Sequence, residues 1–357
     1  MKFQRQTVRV ADALHPRGTT LALKADEVSR HAVRLVVVDR ARNAVRVVPF
    51  GDLPGLLRAG DLVVVNDAAT LPASLPARLP SGAAAEVRLV RARDDGRRWQ
   101  AVLFGAGDWR TPTEHRPAPE RVEAGARIEV AGLPATVTEL SRTSVRLFEL
   151  AFEDDTDVVW AAIYRHGRPI QYAHVPEPLA LWSVQTAYAA RPWAAEAPSA
   201  GVPLDWSLLS ALRARGVDLA AITEGAGLSS TGDSALDAAL PLPERFEVSA
   251  ATVRAIEEAH ARGGRVIAVG TSVVRALESA AASGTLRAAS GETDLVIGPG
   301  YRPRVVDGLF TGLHEPTASH FALLQAFAPR AQLEAAYAHA ERGGYLGHEF
   351  GDTNLIL

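Results

Sequence analysis

The chain has 357 residues, 47% of them hydrophobic and 22% charged, with a formal net charge of -3 and no cysteine. That length favours two domains and buries enough surface to need no staple, while the missing thiol excludes thiolate zinc sites, iron–sulfur clusters, catalytic thiols and disulfide scaffolds and points to a reducing cytoplasm. The near-neutral charge supplies no global basic field of the kind that marks many nucleic-acid binders, and only Lys2 and Lys24 among the 38 basic residues are lysine, so Schiff-base candidates are few and guanidinium forks many.

The opening MKFQRQTVRV has no apolar signal core, and no stretch approaches the roughly 18 apolar residues of a membrane span. A soluble cytoplasmic protein without a membrane partner is expected. From Arg34 to Val48 two short strands flank a polar turn, and Asp61 to Val65 is a third, wholly apolar run ending at Asn66-Asp67. Between Leu71 and Phe152 short alternating runs follow closely on one another, with Asp94-Asp95-Gly96 as a hairpin signal and a Pro-rich loop from Thr111 to Pro119; this texture predicts a small antiparallel barrel. Helical periodicity then predicts helices over 204–215, 250–262, 272–282, 318–327 and 332–342. Gly216 and Gly263-Gly264 end two of them just before apolar runs, the αβ connection of a layered α/β domain. The expected fold is therefore a layered α/β domain (1–70 and 153–357) interrupted by an inserted antiparallel β-barrel (71–152).

Several constellations have chemical potential. Strand, Gly270-Thr271-Ser272 turn and helix, in that order, form a helix N-terminus suited to a phosphate or carboxylate. On that helix Arg275 and Glu278 stand three apart and either pair or both reach a site above the strand end. His314 sits in a loop before Pro316 and the next helix, where an imidazole serves as general base or as donor to an anion. His314 and His320 lack the spacing of a zinc pair, and no metal is expected. Ser199 lacks the GxSxG elbow, which argues against a serine hydrolase, and the GAG at Gly225–Gly227 lacks the context of a dinucleotide fingerprint. Asn66-Asp67 at a strand end and Gly351-Asp352 near the C-terminus are polar positions where α/β domains place ligands or simple turns.

In this order the segments resemble the QueA family, the S-adenosylmethionine:tRNA ribosyltransferase-isomerases of queuosine biosynthesis. The family's GDLLVFNDTRVIPARL is similar to GDLVVVNDAATLPASL here, keeping Gly60, Asp61, Asn66 and Asp67. Its YQTVYA resembles VQTAYA with Gln185, Thr186 and Tyr188, and its APTAG resembles the stretch holding Ser199 and Gly201. RVIAVGTTSVRTLESAA matches RVIAVGTSVVRALESAA, with Gly270, Thr271, Arg275 and Glu278 in place; ITNFHLPKS matches FTGLHEPTA with Thr311, His314 and Pro316; YGDAMLI matches FGDTNLI with Gly351 and Asp352. The departures are as specific: TLHVGLGTF becomes TEGAGLSST, with Gly225 for a histidine and Ser229 for a glycine, Leu242 replaces a second histidine, and Thr317 a lysine.

The resemblance implies transfer of the ribosyl part of S-adenosylmethionine, a co-substrate, to the aminomethyl group of a 7-deazaguanine in tRNA, with adenine and methionine released and the sugar rearranged to an epoxycyclopentane. It implies His314 as base or acid, Asp67 and Asp352 as carboxylates that orient it or bind ribose hydroxyls, and Arg275 with Gly270-Thr271-Ser272 as holders of the methionine carboxylate. Asn66, Gln185, Thr186, Tyr188, Ser199, Gly201, Glu278 and Thr311 are the other substrate-binding candidates. Arg78, Arg88, Arg91, Arg93, Arg97, Arg98 and Arg110 are candidates for holding tRNA. The lost histidines leave open a paralogue acting on a small-molecule acceptor, or an inactive ligand- or RNA-binding relative.

Overall fold

The structure, a computed structural model, describes residues 6–9 and 33–357 apart from Pro176, Glu315, Thr317, His348 and Glu349. The readings at Lys2, Lys24 and Thr317 lie outside the described residues. In chain order come β1 (Gln6–Arg9), β2 (Arg34–Asp39), β3 (Ala44–Pro49), α1 (Leu53–Leu56), β4 (Leu62–Asn66) and β5 (Ala68–Thr70). Then follow β6 (Ser74–Arg78), β7 (Ala84–Ala92), β8 (Arg98–Phe104), β9 (Arg127–Val130), β10 (Leu133–Leu140), β11 (Leu147–Phe152) and α2 (Thr156–His166). The remainder is β12 (Arg191–Ala194), α3 (Trp206–Ala214), β13 (Asp218–Glu224), α4 (Ser234–Asp237), β14 (Glu244–Val248), α5 (Ala250–Ala261), β15 (Val266–Val269), α6 (Thr271–Ala280), β16 (Ala289–Thr293), β17 (Gly308–Gly312), α7 (Ser319–Leu324), α8 (Arg330–Arg342) and β18 (Thr353–Ile356).

One sheet has the order β1-β3-β2-β18-β17-β15-β4-β13-β14-β16. Its centre, β17-β15-β4-β13, is parallel, and antiparallel partners flank it on both sides. The wholly apolar reading of DLVVV is explained by layers on both faces. Leu62 and Val64 pack with Val253 and Ile256 of α5, Val273 and Leu277 of α6 and Leu333 of α8. Val63 and Val65 turn the other way, onto Leu204, Leu208 and Leu212 in and before α3. The predicted helices are present with trimmed ends. Helix α3 begins at Trp206 and not Leu204 because Asp205 caps it, its carboxylate accepting from Leu208 N at 2.8 Å. Gly216 and Gly263 adopt the left-handed conformation that ends a helix (φ 75° and 73°). Strands β1, β5, β12, β14, β16, β17 and β18 and helices α1, α2 and α4 are additions to the predicted set.

Strands β6 to β11 form a closed antiparallel barrel in the order β10-β11-β8-β7-β6-β9, with β7 and β8 joined through the expected Asp94–Gly96 turn. Its interior is built on Leu75, Leu89, Trp99, Phe104 and Phe148, and Leu228, Leu236 and Leu242 from beyond the barrel complete it.

Two arginines placed on an RNA-facing barrel surface from sequence turn out to be buried. Arg88 is 1% exposed, its Nε 2.6 Å from Glu86 and its guanidinium 4.3 Å over the Phe104 ring. Arg91, shifted by a bulge between Leu89 and Arg91, is 8% exposed and meets Glu292 of β16 at 2.5 Å. Arg93, Arg98 and Arg110 are held by Glu149, Asp94 and Asp108, so most of the hairpin's positive charge is neutralised in place.

Glu86 carries the charge balance of the barrel interior. It accepts from Arg88, Arg116 and Ser74, and although burial pushes its carboxyl up, the two guanidinium groups outweigh that and hold it below its ordinary 4.5. Glu86→Gln would leave two buried guanidinium groups without their counter-charge, and we expect a loss of about 3 kcal/mol in urea unfolding at neutral pH. A depressed carboxyl contributes stability above its unfolded value and forfeits it as pH falls through the folded value. The wild-type chain should therefore destabilise below about pH 4.5 more steeply than Glu86→Gln.

Candidate active site

The four parallel strands end on one edge, where open α/β sheets place ligands, and each ends in polar residues: Asn66-Asp67 after β4, Thr223-Glu224 on β13, Gly270-Thr271-Ser272 after β15 and Thr311-Gly312 on β17. The β4–β13 ladder stops at the pair Asn66–Ile222. Beyond it the Asn66 side chain continues the pairing, its Oδ1 accepting from Glu224 N at 2.9 Å and its Nδ2 donating to Glu224 O at 2.8 Å. The same Nδ2 lies 3.4 Å from Ser272 Oγ in the first turn of α6. Gly270 caps that helix at φ 92° without offering a side-chain acceptor, which leaves the helix N-terminus to other partners.

The remaining family-like segments wall this edge. Gln185 pairs both ends of its amide with Thr70, accepting from its N–H at 3.0 Å and donating to its carbonyl at 2.8 Å. Thr186 and Tyr188 stand against Gly201, where a Cβ would come within 2.1 Å of the tyrosine hydroxyl; burial holds that hydroxyl well above its usual range. The short turn Ser199–Gly201 brings Ala200 next to Gly270. On the β17 side, His314 Nε2 and Thr311 Oγ1 are 2.9 Å apart, the His314 ring stacks on His320 with centroids 4.9 Å apart, and His314 N donates to the buried Tyr337 hydroxyl. Burial pushes Tyr337 up to about 12, so it remains a neutral donor and acceptor.

Other candidates point elsewhere. Asp352 is 1% exposed and accepts from Arg34 N at 2.7 Å, Arg34 Nη2 at 2.6 Å and Leu346 N at 2.9 Å, so its carboxylate ties β2 to the C-terminal strand. Arg275 and Glu278 diverge. Glu278 gathers the amides of Arg304, Val305 and Val306 and the Tyr301 hydroxyl, fixing the segment that leads into β17. Arg275 donates to Leu295 O and Thr293 O and to Glu244, with Glu224 at 3.9 Å. A surface ion pair is excluded for Arg275, which is 6% exposed.

Glu224 was not among the residues singled out from sequence. It is fully buried, and neither carboxyl oxygen has a hydrogen-bond partner among the described residues. Burial and the charge of Glu244 push its carboxyl well above the ordinary range, against the opposing pull of Arg275. The available signal was the string TEGAG itself, which has an acid where the family-like TLHVG has leucine. Asp67, in contrast, is half-buried and accepts from Thr223 Oγ1 at 2.5 Å. It opens on a cleft of about 340 Å³ lined also by Arg191, Glu247, Ser249 and Thr252. No group of three His, Asp or Glu side chains with metal-ligand geometry occurs among the described residues, and no helix there is long and apolar enough to cross a membrane.

The cluster around Arg275 changes what its removal should do. From sequence, Arg275→Ala is expected to weaken a ligand and spare the fold; the structure predicts a loss of about 3 to 5 kcal/mol in urea unfolding, because Glu244 would remain buried without its cation. A carboxyl raised in the folded state stabilises it fully below the unfolded value and loses that contribution as pH rises through the folded value. Glu224→Gln should thus gain on wild type as pH rises above the ordinary glutamate value of 4.5, measured from urea midpoints, and parallel pH profiles would contradict a raised Glu224 carboxyl.

A family model described as queuosine biosynthesis protein matches residues 19–356. The S-adenosylmethionine:tRNA ribosyltransferase-isomerase of Acidithiobacillus ferrooxidans is 40% identical over 334 residues, covering 92% of each chain. That of Gloeobacter violaceus is 39% identical over 337 residues, covering 91% of this chain and 89% of its own. The crystal structure of S-adenosylmethionine tRNA ribosyltransferase from Thermotoga maritima is 26% identical, aligns over 95% of this chain and 96% of its own, and has a TM-score of 0.53. With the match running through every strand that builds the polar edge, the chain belongs to the queuosine biosynthesis protein family.

Proposed function

We propose that this chain is an S-adenosylmethionine:tRNA ribosyltransferase-isomerase. It moves the ribosyl moiety of S-adenosylmethionine onto 7-aminomethyl-7-deazaguanine in tRNA and isomerises it, giving epoxyqueuosine-tRNA with release of adenine and methionine. The observation that carries this reading is convergence: the Asn66, Gly201, Gly270–Ser272 and Thr311–His314 segments, far apart in sequence, meet along one edge of the parallel strands.

The chemistry asks for few groups. A sulfonium acidifies the adjoining 5′ carbon, and a base must come within about 3 Å of that proton. His314 is our candidate, its ring held by Thr311 and stacked on His320 and its backbone N–H donating to the Tyr337 hydroxyl. The start of α6 at Gly270–Ser272 supplies amide donors for the methionine carboxylate. Arg275 donates to Glu244, Leu295 O and Thr293 O, which ties α6 to β14 and β16.

The test is release of adenine and methionine from S-adenosylmethionine in the presence of tRNA bearing the precursor base. Wild type should release adenine only when that tRNA is present. His314→Gln should lower kcat by about 100-fold or more, with S-adenosylmethionine affinity by calorimetry within about twofold of wild type. Adenine release supported by a metabolite extract and not by tRNA would overturn this reading in favour of a small-molecule acceptor.

A further inference from the structure

The cleft beside Asp67 owes its shape to a break in sheet pairing. Strand β13 pairs with β4 from Asp218 to Ile222 but with β14 only at Thr223 and Glu224. Its second edge, from Leu219 to Ile222, therefore faces an opening whose far wall is the junction of β14 and α5, with Glu247, Ser249 and Thr252. Thr252 Oγ1 donates to Ala221 O at 2.6 Å and keeps the wall in place. The volume of about 340 Å³ falls in the usual range of small-ligand pockets, roughly 300–1,000 Å³.

The polar chemistry of this cleft is selective. The Asp67 carboxylate offers acceptors, and the Thr223 hydroxyl fixes one of its oxygens in orientation. Its complement is a ligand edge with two adjacent donors. A guanine-type Watson–Crick edge has them, in N1–H and the 2-amino group. Adenine sets a lone pair on N1 beside its single amino donor and would be repelled, so the cleft discriminates between the two purine-like groups of the reaction. Beside the cleft Trp193 lies under the Arg245 guanidinium at 3.7 Å, with Arg191 at 5.3 Å and itself tied to Glu247 by contacts of 2.6 and 3.0 Å. Arg245 is exposed on β14, so its stacked fork is available to a phosphate next to the cleft.

We propose that this cleft seats the acceptor base, extruded from the tRNA stack with its guanine-type edge on Asp67, while Arg245 holds a phosphate of the flanking backbone. Extrusion is the general solution when an enzyme acts on a base in a nucleic acid. The proposal rests on the functional reading above and adds the site and the recognition rule.

Two experiments test it with the intact chain and tRNA. In the first, wild type and Asp67→Asn are assayed for adenine release with tRNA carrying the aminomethyl-deazaguanine and with tRNA carrying the same base without its 2-amino group. Wild type should lose about tenfold or more in kcat/KM without that group, whereas Asp67→Asn, already weakened for the complete base, should be nearly indifferent to it. In the second, S-adenosylmethionine binding without tRNA is measured by calorimetry, and Asp67→Asn and Arg245→Glu should stay within about twofold of wild type. Arg245→Glu should raise KM for tRNA and flatten its salt dependence. Wild-type indifference to the 2-amino group, which requires no variant to fold, overturns the proposal, as does loss of S-adenosylmethionine binding in Asp67→Asn. Absence of adenine release by wild type with the complete tRNA sinks the functional reading instead.

Discussion

The side-chain amide of Asn66 holds together a place where the backbone cannot. Strand β4 must pair with β13 to build the parallel centre and then leave at once for β5 and the barrel, so its ladder ends at Ile222, two residues short of Glu224. By offering an acceptor and a donor in the geometry of a peptide group, Asn66 extends that ladder through a side chain and frees Asp67 to turn outward. The contact with Ser272 extends the same joint to α6. Strand ends, helix start and the mouth of the cleft thus share one pivot.

Buried charge ties this edge to the barrel. Arg275, Glu244 and Glu224 lie beneath the strand ends, and Glu244 also accepts from Gly227 N at 2.7 Å. The segment that follows places Leu228 in the barrel core and Ser229 on Glu196, whose carboxylate also takes the Tyr172 hydroxyl; the Tyr172 ring in turn lies 5.3 Å from the Arg88 guanidinium. Paired polar groups thus run from Arg275 and Glu244 through residues 227–229 to Glu196, Tyr172 and Arg88, with Glu224 beside them without a hydrogen-bond partner among the described residues. Such interiors are costly when half satisfied and specific when complete, which gives the two bodies a defined contact and not merely an apolar one.

Much of this was legible from the amino acids. Hydrophobic runs of period two between 71 and 152, a continuous run at 61–65 and glycines at 216 and 263 are direct consequences of backbone geometry, and each came out as the corresponding barrel strand, doubly covered strand or helix end. Asn66 was legible as a strand-end polar residue for the same reason and Gly270 as the turn between strand and helix, whereas Thr311 entered through the family resemblance alone. What stayed hidden depends on partners far along the chain. Spacing placed Arg275 and Glu278 on one helix face, but nothing local says that Glu244 and the amides of 304–306 separate them. Asp352 reads as a polar turn until Arg34 is brought beside it across the sheet, and the arginines of the β7–β8 hairpin read as a basic surface until Glu86 and Glu292 draw two of them inward. Glu224 directly follows the apolar run 217–223, and only its zero exposure makes it unusual.

The chain enters and leaves the barrel at one point. Ser74 and Arg168 exchange both main-chain hydrogen bonds, each at 2.9 Å, so the six strands and α2 form a closed excursion whose ends already touch. To the rest of the molecule this excursion is equivalent to a tight turn. Because doubling the length of a flexible loop adds only about 0.6 kcal/mol to its closure, material inserted into the long 105–126 connection would leave the registry of β4 and β13 undisturbed. Length added to that connection would thus be absorbed within the barrel, and the polar edge of the sheet would keep its size.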